Sequence, residues 1–436
     1  MTKTFLELEK TLSFTLEALK TWVFPLVRAW WWILPPFLLI KPALFFWLWW
    51  RRELSHKAKE YIVLEIKIPE EITKPIRAME DVFASLAIID ITPGNFREKW
   101  IEGDSKIWFP LSCEIASLGG KTHFFMRIEK PFRQIVESAI YSQYPDVEIE
   151  EVEDYTKFVP QDIPNENWEL EGREFKLKKK DCYPIKTYSE FEPREGIKEE
   201  KRVDPLSTLL EGMATLKEGE HLWIQILLHP AGSDWIEEGK KERNKLVKRP
   251  SPKKPKPLIQ EAIELFLHGP PKKEEKTEMI PPEMKLTPGE KEIVEKIENK
   301  ISKPGFETSI RYLYLAKRDV FSKINLHLVT SFFSSYNTEH LNKFKTIAET
   351  TTKVKSTFFW FLDKRRAFLR KRKMFRNYIM RVPPYFPSEK APCVLNTEEL
   401  ASIFHFPGRR VAPAPLVLRI EAKKAGPPPE LPSELL

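Results

Sequence analysis

The spacing of apolar residues divides the chain into short elements. From Tyr61 to Ile68 the sequence alternates, with Ile62, Leu64, Ile66 and Ile68 on one face, as a half-buried strand requires. Pro75 opens a helix that carries Ile76, Met79, Phe83 and Leu86 on one side. Two strands follow, around Trp108–Ala116 and Thr122–Ile128, joined through Gly119-Gly120. A helix runs from Phe132 to about Tyr144, stopped by Pro145, and Val147–Glu153 closes the set as a strand. The order β-α-β-β-α-β is the ferredoxin-like split motif.

The pattern then recurs. Pro184–Phe191 reads as a strand, and Asp204-Pro205 supplies an N-cap followed by proline at the first helical position. Counted from Pro205, apolar residues fall at +1, +4, +8 and +11 (Leu206, Leu209, Met213, Leu216), the offsets found after Pro75. Strands are predicted at Leu222–Leu228 and Ser309–Leu315, and a helix at Phe321–Tyr336. The expectation is an α+β body of two tandem ferredoxin-like units, 57–158 and 180–350. The second carries a charged insertion, 231–305, with Lys/Pro-rich linkers at 248–257 and 270–276 and short helices at Leu258–Leu267 and Glu290–Ile301. A basic helix within 351–382 and a short helix with a Pro-rich tail, 383–436, complete the chain.

The N-terminal region is built differently. Residues 1–28 place Phe5, Leu8, Leu12, Leu16 and Leu19 at helical spacing, as a helix lying on a membrane, a partner or the body would. Residues 29–52 then predict a membrane span. Trp30, Trp31 and Trp32 lead it and Trp47, Trp49 and Trp50 end it, about 27 Å apart along a helix, like two aromatic belts. Arg51 and Arg52 follow at once and place the body on the cytoplasmic side. Pro35, Pro36, Pro42 and Lys41 argue for a kinked span or a re-entrant or interfacial segment; a mid-membrane lysine costs about 2.5–3.5 kcal/mol.

Composition sharpens this picture in two places. Seven of the 13 tryptophans lie between Trp22 and Trp50, so the aromatic excess belongs largely to the predicted anchor. The formal charge of +8 is clustered: Lys364–Arg381 holds nine Lys/Arg in 18 residues, with Phe368, Phe375 and Tyr378 between them. Arg365, Arg366, Arg370, Lys373 and Arg376 are the candidate contacts. Nucleic-acid phosphates, anionic lipid or an acidic protein face would all suit them. Further on, Asn396 with Glu399 signals a helix start, and Leu400, Ile403 and Phe404 would cover either this chain or a partner.

Enzymatic motifs are absent. Gly119-Gly120-Lys121-Thr122 has Ile115 where a phosphate-binding loop needs glycine, and a strand pattern follows it. The three cysteines and eight histidines show no metal-ligand spacing, and no nucleophile or dinucleotide fingerprint occurs. Neither cofactor, metal nor catalytic residue is expected.

Four segments, VESAIYSQYPDVEIEEVEDYT, DPLSTLLEGMATLKEGEHLWIQIL, LTPGEKEIVEKIENKISKPGFETSIRYLYLAKRDVF and LNTEELASIFHFPG, together carry a resemblance. From about residue 60 to its end the chain resembles the membrane-proximal N-terminal region of bacterial type IV secretion and conjugative DNA-transfer ATPases, of the TraG-like and HerA-like kind. In that family a stretch resembling RIEAKKAGPPPELP leads into a P-loop ATPase domain, which does not follow here. The resemblance implies a membrane-anchored, non-enzymatic scaffold of a transfer machine that docks a cytoplasmic P-loop ATPase on a separate chain, with Asn396, Leu400, Ile403 and Phe404 as the docking helix. The residues themselves keep a second reading open, a membrane-attached protein that binds nucleic acid through 364–381.

Overall fold

The computed structural model describes residues 34–191 apart from 70, 71, 73, 91, 93, 106 and 107, residues 204–247, residues 286–408 apart from 356–359, 387, 389 and 390, and the isolated positions 21, 28, 29, 419 and 420. The expected helix over 1–28, Trp30, Trp31, Trp32, the helix at 258–267, both Lys/Pro-rich linkers and the tail beyond Ile420 lie outside the described residues. Two compact units emerge, one from residues 1–59 and 92–105, the other from 60–91 and 106–436.

The smaller unit contains α1 (Leu34–Ala58) and a π-helical turn, Glu98–Glu102. Trp47 Nε1 donates to Trp100 O at 3.0 Å, Ser55 Oγ to Asp104 at 3.1 Å, and Phe96 stacks on Trp100. Trp47 and Trp50 meet edge to face, with the Arg51 guanidinium over Trp50, while Lys57 pairs with Glu53. Leu38, Phe45, Phe46, Trp47, Trp49 and Trp50 are exposed. Among the described residues, however, no helix is long and apolar enough to cross a membrane. Lys41 and Pro42 interrupt the apolar run of α1, and Arg51, Arg52 and Glu53 end it. The expectation of a single-pass anchor over 29–52 is therefore corrected. The cytoplasmic placement of the body goes with it, because charge asymmetry orients a chain only across a span.

The larger unit is organised by one sheet. Its strands are β1 (Tyr61–Pro69), β2 (Leu111–Leu118), β3 (Lys121–Glu129), β4 (Glu148–Val152), β5 (Trp168–Leu177), β6 (Glu220–Pro230), β7 (Gly305–Lys317), β8 (Phe344–Thr346), β9 (Cys393–Asn396) and β10 (Arg419–Ile420). An antiparallel path runs β4-β1-β3-β2-β6-β7-β5-β8; β9 joins β7, and β10 pairs with β1 in parallel. The two expected ferredoxin-like units are thus not separate bodies. β2 and β6 pair from Leu111↔Leu228 to Leu118↔His221, so both repeats enter one sheet and a single hydrophobic core spans them.

Strand alternation divides the interior into two layers. Ile66, Phe124, Met126, Ile224, Ile226, Tyr312 and Tyr314 face the larger layer, while Val63, Phe125, Trp223, Leu313 and Leu315 face the smaller. The larger is covered by α2 (Arg77–Leu86), α3 (Arg133–Gln143), α4 (Pro205–Ala214), α7 (Leu326–Ser335) and α9 (Thr397–Ile403). Two further helices, α5 (Asp234–Leu246) and α6 (Pro288–Ile301), precede β7. The smaller layer is covered by α8 (Asp363–Met380) through Met374, Phe375 and Tyr378.

Local chemistry sets several of these boundaries. Asp204 caps α4 by accepting from Leu206 N, and Thr287/Glu290 and Asn396/Glu399 form capping boxes on α6 and α9. Gly119 and Gly120, both at positive φ, make the two-residue turn between β2 and β3. Lys121 accordingly starts a strand and heads no helix. The strand expected at 184–191 is instead a segment ending in one helical turn, Tyr188–Phe191; the strand that pairs with β7 is Trp168–Leu177. Its inward positions toward α8 are Leu170, Gly172 and Glu174, which hide the hydrophobic alternation.

Candidate nucleic-acid interface

Helix α8 has two ends of different character. From Met374 onward one face of it, Met374, Phe375, Asn377 and Tyr378, is buried on the sheet. A Cβ at Gly172 would lie 2.5 Å from Leu313 Cδ2 and 2.6 Å from Met374 Sδ, so glycine on β5 is what lets the helix approach.

Arg381, the residue after the helix, adopts a left-handed conformation (φ 52°) that turns its side chain into the sheet. Its Nε and Nη2 donate to Glu114 at 3.1 and 3.2 Å, and Nη1 and Nη2 reach Asp154. Glu114 also accepts from Tyr155 Oη (2.7 Å), Gln225 Nε2 (2.8 Å) and Ser112 Oγ (2.5 Å). Burial opposes ionisation of Glu114 and Asp154, and the Arg381 guanidinium outweighs it, so both carboxyls are held below their ordinary range. Burial raises the hydroxyls of Tyr155 and Tyr378, 2.7 Å apart, well above their usual value. Glu114, Gln225, Arg311 and Glu174 lie opposite one another on four adjacent strands, a buried polar row beneath the helix.

Residues 364–373 have no buried position. Lys364, Arg365, Lys373 and Arg376 are exposed and have no carboxylate within ion-pair distance among the described residues. Several cations elsewhere on the surface are paired: Lys67 with Glu150, Arg133 with Glu137 and Glu151, Lys180 with Glu242, Lys343 with Glu339. The Arg372 guanidinium lies 5.7 Å from the Phe368 ring centre. A 3₁₀ turn, Trp360–Leu362, leads into the helix with Trp360 and Phe361 exposed.

Beside this end runs a groove of about 680 Å³. Lys353, Lys355, Arg366 and Arg370 line it, with Ala348, Val354 and Leu369 between them and no acidic side chain. Arg370 Nη1 donates to Ala348 O and Thr351 O, both at 3.1 Å, tying the far wall to the helix. Thr352 fixes that wall to the sheet by bonding both Gly172 N and Gly172 O.

The five cations singled out from the sequence are therefore not equivalent. Arg365, Lys373 and Arg376 are free exposed charges, Arg366 lines the groove, and Arg370 is partly committed to holding the wall. Phe375 and Tyr378 are core residues. Lys353, Lys355, Trp360 and Phe361 belong to the site but carry no sequence signal, since they flank the basic run without forming a pattern of their own.

The other candidate contacts fare differently. Leu400, Ile403 and Phe404 are fully buried in this chain's own core, and Asn396 is spent on capping. Glu399 reaches Lys300 in a buried ion pair and accepts from Ile185 N. The docking helix expected at 396–404 is thus corrected to an internal element. His221 and His229, bracketing β6, are interior: His221 stacks on Trp168 and burial pushes its pKa down to about 4, while His229 Nδ1 lies 2.8 Å from Pro230 O. Among the described residues no cluster of three or more His, Cys, Asp or Glu could hold a metal ion.

No curated protein and no solved structure matches the chain. A family model described as a domain of unknown function, DUF8128, matches residues 53–413, and the chain belongs to that family.

Proposed function

We propose that this protein is a non-enzymatic nucleic-acid-binding component, which grips the phosphate backbone with the exposed half of α8 and its basic groove. The observation that carries the reading is the clustering of four exposed cations, Lys364, Arg365, Lys373 and Arg376, without carboxylate partners among the described residues, on one helix beside a groove lined by Lys353, Lys355, Arg366 and Arg370 with no acidic side chain. Unneutralised cations ranked along one helix raise the local concentration of a polyanion and release its counterions on binding. The resemblance of four segments to DNA-transfer proteins supports the same polymer. It also implies a P-loop ATPase partner on a separate chain, and that partner must use a surface other than α9.

The test is a salt titration of oligonucleotide binding to the full chain. The logarithm of the affinity should fall linearly with the logarithm of salt. Combined Arg365→Glu and Lys373→Glu should flatten that slope by about one for each phosphate that is no longer neutralised. Binding that is absent at low salt, or indifferent to these reversals, defeats the proposal.

A further inference from the structure

We infer that the nucleic acid taken by α8 is single-stranded, its phosphates following Lys353, Lys355 and Arg366 and its bases lying on Trp360 and Phe368. This rests on the reading of α8 as a phosphate-binding element and adds which form of the polymer it fits.

Aromatic exposure is the first reason. Trp360 is 73% exposed, Phe361 64% and Phe368 42%, all within or just before the basic half of the helix. A duplex hides the faces of its bases in the stack and shows a protein only edges and backbone. A single strand presents a face at every nucleotide, and aromatic side chains beside a cationic track are what such faces stack upon. The Arg372 guanidinium lies over one face of Phe368, 5.7 Å from its centre, and backs that ring with positive charge.

Shape is the second reason. The groove is a concave trough with four cations, no carboxylate and apolar Val354 and Leu369 in its lining. Such a lining suits a flexible strand, which can bend into a concavity that a planar anionic bilayer, attracted by the same mixture of aromatic and basic residues, cannot follow. The third reason is the seating of the helix. Met374, Phe375 and Tyr378 are buried against the sheet, so the helix cannot lie along a major groove for its whole length.

The experiment compares three probes on the full-length protein at one salt concentration. They are a fluorescent oligo(dT) of about twenty nucleotides, a hairpin duplex of similar charge, and phosphatidylcholine vesicles with about one-third phosphatidylserine. Oligo(dT) should bind at least about tenfold tighter than the duplex. Trp360→Ala should weaken oligo(dT) by about 5- to 100-fold while leaving duplex affinity unchanged, and Trp360→Phe should restore most of the loss. Because Trp360 is exposed, the variant should melt as the parent does. Equal affinity for strand and duplex, or an oligo(dT) affinity untouched by Trp360→Ala, overturns the single-strand inference while phosphate binding stands. Failure of both nucleic acids overturns the two together, and binding to vesicles alone puts lipid in their place.

Discussion

The two halves of α8 use the same residue types for opposite ends. Where the helix meets the sheet, cations serve the fold: Lys371 pairs with Glu169, and just past the helix Arg381 is enclosed by Glu114 and Asp154. In the N-terminal half Lys364 and Arg365 stand in solvent, with Trp360 and Phe368 exposed beside them. A charge is held as structure where a carboxylate has been brought to it, and stands in solvent where none has. Identical side chains can therefore be told apart only by what the sheet places opposite them.

The sharpest way to break this contrast is Arg381→Ala. Removing one partner strands the buried carboxylate of Glu114 and the partly buried one of Asp154, so urea unfolding should show a loss of about 3–5 kcal/mol. A variant as stable as the parent would mean that the network contributes nothing net.

Gly172→Val attacks the same half through packing. The new side chain would meet Leu313, Met374 and Tyr312 O, and overpacking of this kind costs about 1–3 kcal/mol. Thermal melts should register it, while probes of the exposed half should change less.

Acidity separates two buried ion pairs. Glu114 and Asp154 have folded pKa values held below the ordinary range, so their contribution is present above the unfolded values near 4 and is lost as pH falls through the folded ones. The pair of His405 Nε2 and Asp204, 3.1 Å apart, has the opposite dependence on its histidine side. Burial disfavours the imidazolium, but Asp204 outweighs burial and raises the His405 pKa. That contribution is complete below about pH 6.5 and is lost as pH rises through the raised folded value. Asp204→Asn keeps a capping side chain on α4 and removes the charge. It should erase the alkaline loss, of about 1–2 kcal/mol, in melts recorded across neutral pH. Persistence of that loss in the variant would assign it elsewhere.

The smallest effect on stability belongs to the exposed half. Single alanine substitutions of Lys364, Arg365, Lys373 or Arg376 should each change stability by no more than about 0.5 kcal/mol. Under the proposed function each should nonetheless weaken oligonucleotide binding at low salt. A large drop in melting temperature instead would show that these charges belong to the fold after all.

Much of the secondary structure was legible because its signals are local. Asp204-Pro205 and Asn396 with Glu399 mark helix starts through hydrogen bonds spanning two or three residues, and Ile62 to Ile68 mark a strand by alternation. The strand at 168–177 was missed because its inward positions are filled by glycine and a buried glutamate whose partner, Arg311, lies on another strand. The membrane span was over-read because tryptophan clusters dominate a run that Lys41, Pro42 and the Arg51–Glu53 charges cut short.

By itself, then, the sequence determined where many helices and strands begin and that residues 364–381 are basic and aromatic. Those properties depend on neighbours within a few positions. Only the tertiary structure decided that the strands form one sheet in place of two tandem units, since β2 and β6 join through backbone hydrogen bonds that any side chains could accompany. It also decided that α9 is internal and that Arg381 is structural while Arg365 is free. The role of Arg381 turns on Glu114 and Asp154 arriving from more than two hundred residues away in the chain, and that of α9 on Phe83 and Phe124 packing against Phe404.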